Sequence, residues 1–274
     1  PAFDAAAVRD ALKRATVMMG VPTFYSRLLA EPGFGKEDCA TMRLFISGSA
    51  PLTVETFNAF EARTGMRILE RYGMSEAGMI ASNPLNGERI AGTVGFALPD
   101  VSIRIAGEDG APLAPGEAGN VEVKGPNVFA GYWRMPEKTQ GEFRDGWFIT
   151  GDVGMLDAEG RLTLVGRSKD LIIAGGYNIY PIEIEQLLDA VPGVAESAVV
   201  GVPHKDMGEG VVAVLVAAKD AARPDDAALT AAMEALAKFK RPRRFFWTDA
   251  LPRNAMGKVQ KQALRETYRD AFAV

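Results

Sequence analysis

The chain has one cysteine, Cys39, one histidine, His204, and no apolar run near the ~20 residues a bilayer-spanning helix needs; Val211–Ala218 is typical of its longest runs. A single cysteine excludes an intramolecular disulfide and a cage of thiolates around a metal. It fits a reducing compartment, cytoplasmic or the mitochondrial matrix. The histidine, in Val202-Pro203-His204-Lys205, reads as a turn residue rather than a catalytic base. Neither sign of charge dominates. With 31 Lys and Arg against 35 Asp and Glu, the net charge of −4 offers no basic field for nucleic acid and favours a small-molecule partner. The N-terminus alternates apolar and charged residues without a signal-peptide core, and it begins at Pro1, in mid-pattern, so further sequence upstream is expected. Internal repeats and low-complexity tracts are absent.

What is present is enough apolar residue, 47% of 274, to bury a substantial core, and a length that favours two domains. The texture changes twice along the chain. From Pro1 to about Ile90, helical segments (Asp4–Lys13, Val54–Thr64) alternate with short strand-like runs (Thr16–Val21, Arg43–Ser47, Arg67–Tyr72), an α/β layering. From Gly92 to about Gly166 the helical pattern gives way to strands such as Val101–Ile105, Gly119–Lys124 and Arg161–Val165, separated by Gly- and Pro-rich turns, as in a small β-barrel or sheet. From Arg167 a compact α+β domain follows. Its helices are expected at Pro181–Ala190, with proline in the first turn, and at Asp225–Lys238; its strands at Ser197–Val202, Val211–Ala218 and Arg244–Thr248. The boundary falls at Gly166–Asp170, giving domains 1–166 and 167–274.

Chemistry concentrates in Glu70-Arg71-Tyr72-Gly73-Met74-Ser75-Glu76. Ile68 and Leu69 read as a buried strand, Gly73 as its end, where backbone can approach a ligand, and Tyr72 as a face on which a base could stack. Gly48-Ser49-Ala50-Pro51 is a second tight turn after a strand, so the two suggest a crevice at strand C-termini. Glu76 offers Mg²⁺ the hard carboxylate it prefers, with Ser75 near the phosphate. Asp152, in Thr150-Gly151-Asp152, could accept from both ribose hydroxyls, with Arg167 beside it. Lys258 lies in the turn-rich Pro252-Arg253-Asn254-Ala255-Met256-Gly257-Lys258, where an ammonium could bridge two anions that must meet.

These segments, with Gly166-Arg167-Ser168-Lys169-Asp170 and in this order, resemble the acyl-adenylate-forming superfamily of acyl-CoA synthetases, and the whole chain resembles that family's C-terminal part. The resemblance implies ATP and Mg²⁺ as cofactors and coenzyme A as co-substrate. The large domain forms an acyl-adenylate with release of pyrophosphate, and the small domain then rotates so that CoA can attack. By the same resemblance the nucleotide is held by Ser49, Ala50, Pro51, Glu70, Arg71, Tyr72, Gly73, Met74, Ser75, Asp152, Arg167 and Lys258. Glu76 is the metal ligand, Lys169 the hinge, and Gly175, Gly176 and Tyr177 line the CoA pantetheine tunnel. Lys258 is the catalytic residue and, as in bacterial relatives, a target for an acetyltransferase.

Within the superfamily, Gly20-Val21-Pro22-Thr23, Ser47–Leu52, Glu70–Met74 and Val123–Phe129 are similar to the malonyl-CoA synthetases. That similarity implies that Arg27, Ser49 and Arg71 hold the distal carboxylate of malonate or methylmalonate, since a guanidinium fork fits a carboxylate. The alternative makes Arg27 and Arg71 rim residues paired with Glu31 and Glu70, in a ligase for medium-chain or aryl acids. The family's upstream Ser/Thr/Gly-rich phosphate loop is missing from these residues, so the chain by itself is expected to be inactive. A non-catalytic nucleotide- or CoA-binding fragment, and transfer to a carrier protein instead of free CoA, stay open at this level.

Overall fold

The computed structural model describes residues 3–219, 221–254 and 257–273, and the chain divides into two compact units, Pro1–Leu164 and Val165–Val274. The first unit begins α1 (Ala5–Leu12), β1 (Val17–Gly20), α2 (Pro22–Ala30), β2 (Leu44–Ser47), α3 (Val54–Thr64), β3 (Leu69–Met74), β4 (Gly78–Ser82) and β5 (Phe96–Ala97). These strands form one sheet in chain order, parallel from β1 to β3 and antiparallel from β3 to β5. Local chemistry sets the helix ends. The Thr53 hydroxyl accepts from the Thr56 backbone N–H at the start of α3, and Gly65, at φ 74°, closes it in the left-handed conformation. Tyr25, Phe45 and Phe60 fill the space beneath the sheet, with the Phe45 and Phe60 rings edge to face at 4.9 Å.

The unit continues through β6 (Ser102–Ala106), β7 (Gly119–Lys124), α4 (Pro136–Gly141), β8 (Phe143–Arg144), β9 (Trp147–Leu156) and the start of β10 (Leu162–Arg167), a strand whose residues from Val165 on count with the second unit. They form an open sheet in the order β10-β9-β7-β6, with β8 added to β9. Its one fully buried carboxylate, Glu122, is held by Arg104 at 2.6 Å and Arg144 at 3.4 Å, so the charge is paired where water cannot reach it. Thr150-Gly151-Asp152 lies inside β9. Between the pairs Asn120–Val153 and Glu122–Ile149 it sets three residues against Val121 alone, a bulge with Gly151 at φ 72°.

The second unit carries β11 (Ile172–Ala174), β12 (Tyr177–Ile179), α5 (Pro181–Asp189), β13 (Val194–His204), β14 (Gly208–Ala217), α6 (Asp226–Ala231), β15 (Arg244–Thr248) and α7 (Lys261–Thr267). The sheet order is β12-β11-β14-β13, with β15 parallel to β14. Apolar clusters cover both of its faces: Ile184, Leu188 and Leu229 pack on one, Leu251 and Leu264 on the other. The helix expected over Asp225–Lys238 stops at Ala231. Beyond it the chain tightens into i→i+3 turns, because Arg241 donates to the carbonyls of Glu234 and Leu236, and Phe239 leaves the helical path to stack on Tyr177 at 4.3 Å. Among the described residues no helix is long and apolar enough to cross a membrane.

Candidate active site

In the first unit the C-terminal ends of β1, β2 and β3 surround a pocket of about 280 Å³ whose wall includes Gly20, Phe24, Gly48, Ser49, Arg71 and Gly73. The turn after β2 is tied to β1 by a hydrogen bond from the Gly48 N–H to the Gly20 carbonyl at 3.4 Å, and Ser49 sits at φ 69°, uncommon for a residue with a side chain. Gly48 lies so close to Arg71 that a Cβ there would stand 3.4 Å from the Arg71 carbonyl oxygen. Ala50 and Pro51 continue the turn on the surface.

Strand alternation separates Glu70 from Arg71. Glu70, 6% exposed, accepts from the Leu52 backbone N–H, and burial pushes its carboxyl up to about 8 despite that bond. Arg71 turns the other way, to the pocket wall. The rim pairs Arg71–Glu70 and Arg27–Glu31 are therefore not formed among the described residues. Arg27 is exposed on α2 and lies outside this pocket. Its guanidinium sits 5.9 Å over the Phe3 ring, which stacks at 4.2 Å on Phe24 of the pocket wall.

Gly73 does not end its strand, which runs on to Met74 and folds back through Ser75-Glu76-Ala77 into β4. Its missing side chain serves the hairpin itself: a Cβ there would stand 2.2 Å from the Gly78 carbonyl oxygen, opposite the bulge in β4's pairing. One position earlier, the Tyr72 hydroxyl donates to Asp152 Oδ2 at 2.5 Å, both residues buried. The β9 bulge thus brings Asp152 to the end of β3, and the hydrogen bond holds the tyrosine ring and the carboxylate as one piece. Ser75 is exposed on the turn, while Glu76 receives the Tyr132 hydroxyl at 3.2 Å. Burial, then the neighbouring Glu76 carboxylate, raises the Tyr132 phenol, which stays a donor. No sequence motif pointed to Tyr132.

In the second unit Arg167 is exposed at the end of β10, and Lys169 is exposed in the following turn, where its carbonyl accepts from Arg265 of α7 at 3.1 Å. Gly175 and Gly176, at φ 59° and 83°, make the β11–β12 turn, and the Gly175 N–H donates to the Met207 carbonyl at 2.8 Å. Beside them Tyr177 is 56% exposed. Lys258 is exposed in a loop folded on itself: its N–H donates to Asn254 Oδ1 and its carbonyl accepts from the Asn254 N–H, both at 3.0 Å. Ala255 and Met256 of that motif lie outside the described residues. His204 ends β13, and its Nδ1 accepts from the Asp206 N–H at 3.2 Å, a turn contact.

Residues 1–133 match the profile of the AMP-binding enzymes, and residues 183–258 that of the AMP-binding enzyme C-terminal domain. The chain belongs to the AMP-binding enzyme family. Its relatives in that family include a probable CoA ligase of Humulus lupulus, 40% identical across 92% of this chain and 45% of the relative. Another is a feruloyl-CoA synthase of Amycolatopsis sp, 38% identical across 97% of this chain and 55% of that protein. The chain spans about half the length of the curated relatives it matches. Among solved structures, ATP-bound MatB from Rhodopseudomonas palustris superposes with a TM-score of 0.95 at 56% identity, over 98% of this chain and 54% of that one.

The metal expected of such a site is tested by the donors present. Among the described residues no group of three or more His, Cys, Asp or Glu side chains is gathered to hold an ion. Glu76 stands as a single carboxylate steadied by Tyr132. That fits Mg²⁺, which takes one or two protein carboxylates and fills its shell with phosphate oxygens and water.

Proposed function

We propose that this chain carries the C-terminal half of an ATP-dependent acid–CoA ligase that activates malonate, or methylmalonate, through an acyl-adenylate. The observation that carries the reading is Arg71, which faces a small pocket beside Ser49 and has no acidic partner among the described residues. A guanidinium so placed is a ready partner for the second carboxylate of a short diacid, and its planar fork suits bidentate pairing. Arg27, one aromatic layer outside, extends the same positive field toward the rim.

In the first half-reaction a carboxylate oxygen of the acid attacks the α-phosphorus of ATP, the bond to the bridging oxygen breaks, and pyrophosphate leaves. Tyr72 and Asp152 present the ring and the ribose acceptor for the nucleoside, with Arg167 as the second ribose contact. The Gly48–Pro51 turn and Gly73–Ser75 offer backbone and hydroxyl groups around the phosphate. Glu76 would hold Mg²⁺, which would supply positive charge to offset that of the phosphates. Lys258 bridges the attacking carboxylate and the α-phosphate, where two anions converge. In the second half-reaction the CoA thiol adds to the acyl carbonyl and AMP departs. Lys169 is the hinge between the two states, and Gly175, Gly176 and Tyr177 flank the pantetheine arm. An exposed Lys258 is also open to an acetyltransferase, and loss of its charge would silence the first step.

A second reading, an aryl acid as substrate, draws on the apolar part of the pocket wall (Phe24, Met19, Met79) and on the feruloyl-CoA relative. One experiment separates the two. In the ligase at the full length of its relatives, Arg71→Met should weaken malonate use by about 2–5 kcal/mol in kcat/KM, the cost of truncating one partner of a desolvated charge pair, with ATP binding retained. Preference of the unaltered enzyme for ferulate or a medium-chain acid over malonate overturns the dicarboxylate reading.

A further inference from the structure

The described residues of the loop that bears Lys258 are bonded to one another, and Leu251 and Val259 at its base pack into the apolar cluster on the sheet. Gln260 donates from its backbone to the Pro252 carbonyl at 2.8 Å, Gly257 to the Asn254 carbonyl at 2.9 Å, and Arg253 bridges Val259 across the base. These bonds close the described base of the turn. They do not fix where the turn points. Gly257, at φ 79° with open space where a Cβ would be, adds no packing of its own.

A charged side chain ties the Lys258 end of the turn to the sheet. Arg253 Nη1 donates to the Gly257 carbonyl at 2.7 Å, the last acceptor before Lys258, while Nη2 bonds Glu196 Oε2 on β13. Both partners are about one-third exposed, so the ion pair adds little to stability. Its geometry is what matters, because a planar guanidinium can hold a carbonyl and a carboxylate at once in fixed directions and an ammonium cannot. At the loop's other end Lys261 pairs with Glu185 of α5 at 2.7 Å, and Glu185 also accepts from the Val199 N–H of β13 at 2.7 Å. The turn is thus tethered at both ends to the same strand.

We infer that Arg253 and Glu196 form a clamp that aims Lys258, which makes Arg253 a positioning residue for adenylate formation; the inference rests on the role given to Lys258 above. Without the clamp the turn keeps its internal bonds but tilts about its base, and the ammonium, at the end of a long side chain, is displaced from the carboxylate–phosphate pair. A displacement of about 1 Å is enough to cost up to a hundredfold in rate.

The test uses the full-length ligase and measures the half-reactions separately: pyrophosphate release with acid and ATP, and thioester formation from supplied acyl-adenylate. Arg253→Ala should lower kcat for pyrophosphate release by roughly tenfold to a hundredfold, with little change in KM for ATP or acid, and should leave thioester formation near its original rate. Glu196→Gln should move the same step in the same direction by less, and Arg253→Lys should fail to restore it. A readout that a merely structural role would not move comes from the double variant: with Lys258→Ala already present, Arg253→Ala should cost nothing further, because its effect passes through that lysine. An equal loss in both backgrounds, or equal damage to both half-reactions, overturns the clamp. If Lys258→Ala cripples pyrophosphate release while Arg253→Ala is inert, the clamp alone fails; if Lys258→Ala is itself inert, the role of Lys258 fails with it.

Discussion

Replacing Glu70 with glutamine should make the first unit's stability less sensitive to pH. In the folded chain the Glu70 carboxyl is pushed up to about 8 by burial, against an ordinary value of 4.5. Between those two values the folded state holds a proton that the unfolded state releases, so stability falls as pH rises. The contribution is complete below the unfolded value and gone above the folded one. A gap of roughly 3.5 units corresponds to about 5 kcal/mol at most, at ~1.36 kcal/mol per unit. Glutamine keeps an oxygen for the Leu52 N–H and cannot ionise, so Glu70→Gln removes this term while preserving the bond. Asp189 in the second unit, pushed up to about 7 chiefly by burial, contributes a fall of the same sign that both proteins share. Urea unfolding followed by tryptophan fluorescence at pH 5, 6.5 and 8.5 is the assay. The unaltered chain should lose more stability across that range than the variant, by a few kcal/mol, and the variant should be the more stable protein at pH 8.5. Parallel curves would refute the argument, because they would mean that Glu70 is ionised in the folded state.

Three further outcomes follow from features already described. Lys258→Ala in the full-length ligase should slow adenylate formation by about 10²–10³ and spare thioester formation from supplied adenylate; half-reaction kinetics give the answer, and equal damage to both steps would sink the assignment. Gly73→Ala should destabilise the first unit by about 1–3 kcal/mol, since its methyl group would stand 2.2 Å from the Gly78 carbonyl oxygen; a denaturation midpoint unchanged from the parent would show that the β3–β4 hairpin can give way. The chain by itself should release no pyrophosphate with malonate and ATP, and robust turnover would mean that its residues build a phosphate cradle of their own.

Short-range chemistry made part of the fold readable. The helix Val54–Thr64 is flanked by a capping Thr53 and a Gly65 that ends it, so its limits could be read to the residue, as could the strand Gly119–Lys124. Where sequence reading failed, a distant partner overrode the local pattern. Leu229, Met233 and Leu236 have helical spacing, yet the helix stops at Ala231 because Arg241 takes the carbonyls beyond it. Gly73 signals a special backbone in the sequence, but that a side chain there would meet the Gly78 carbonyl appears only once β3 and β4 are paired. The motif residues of the candidate site were visible as types. Their partners were not: Tyr132 lies 56 positions from Glu76, and Glu196 lies 57 from Arg253.

The hydrogen bond between Tyr72 and Asp152 joins residues 80 positions apart and one from each sheet of the first unit. It cannot form until the α/β sheet and the open sheet have docked, so the two surfaces proposed for a nucleoside come into register only as a late event of folding. A ligand that needs both faces then acts as a gauge of that docking. Substitutions anywhere along the seam between the sheets, even ones remote from the pocket, should register first as weakened nucleotide affinity, before any loss of helix or strand is seen.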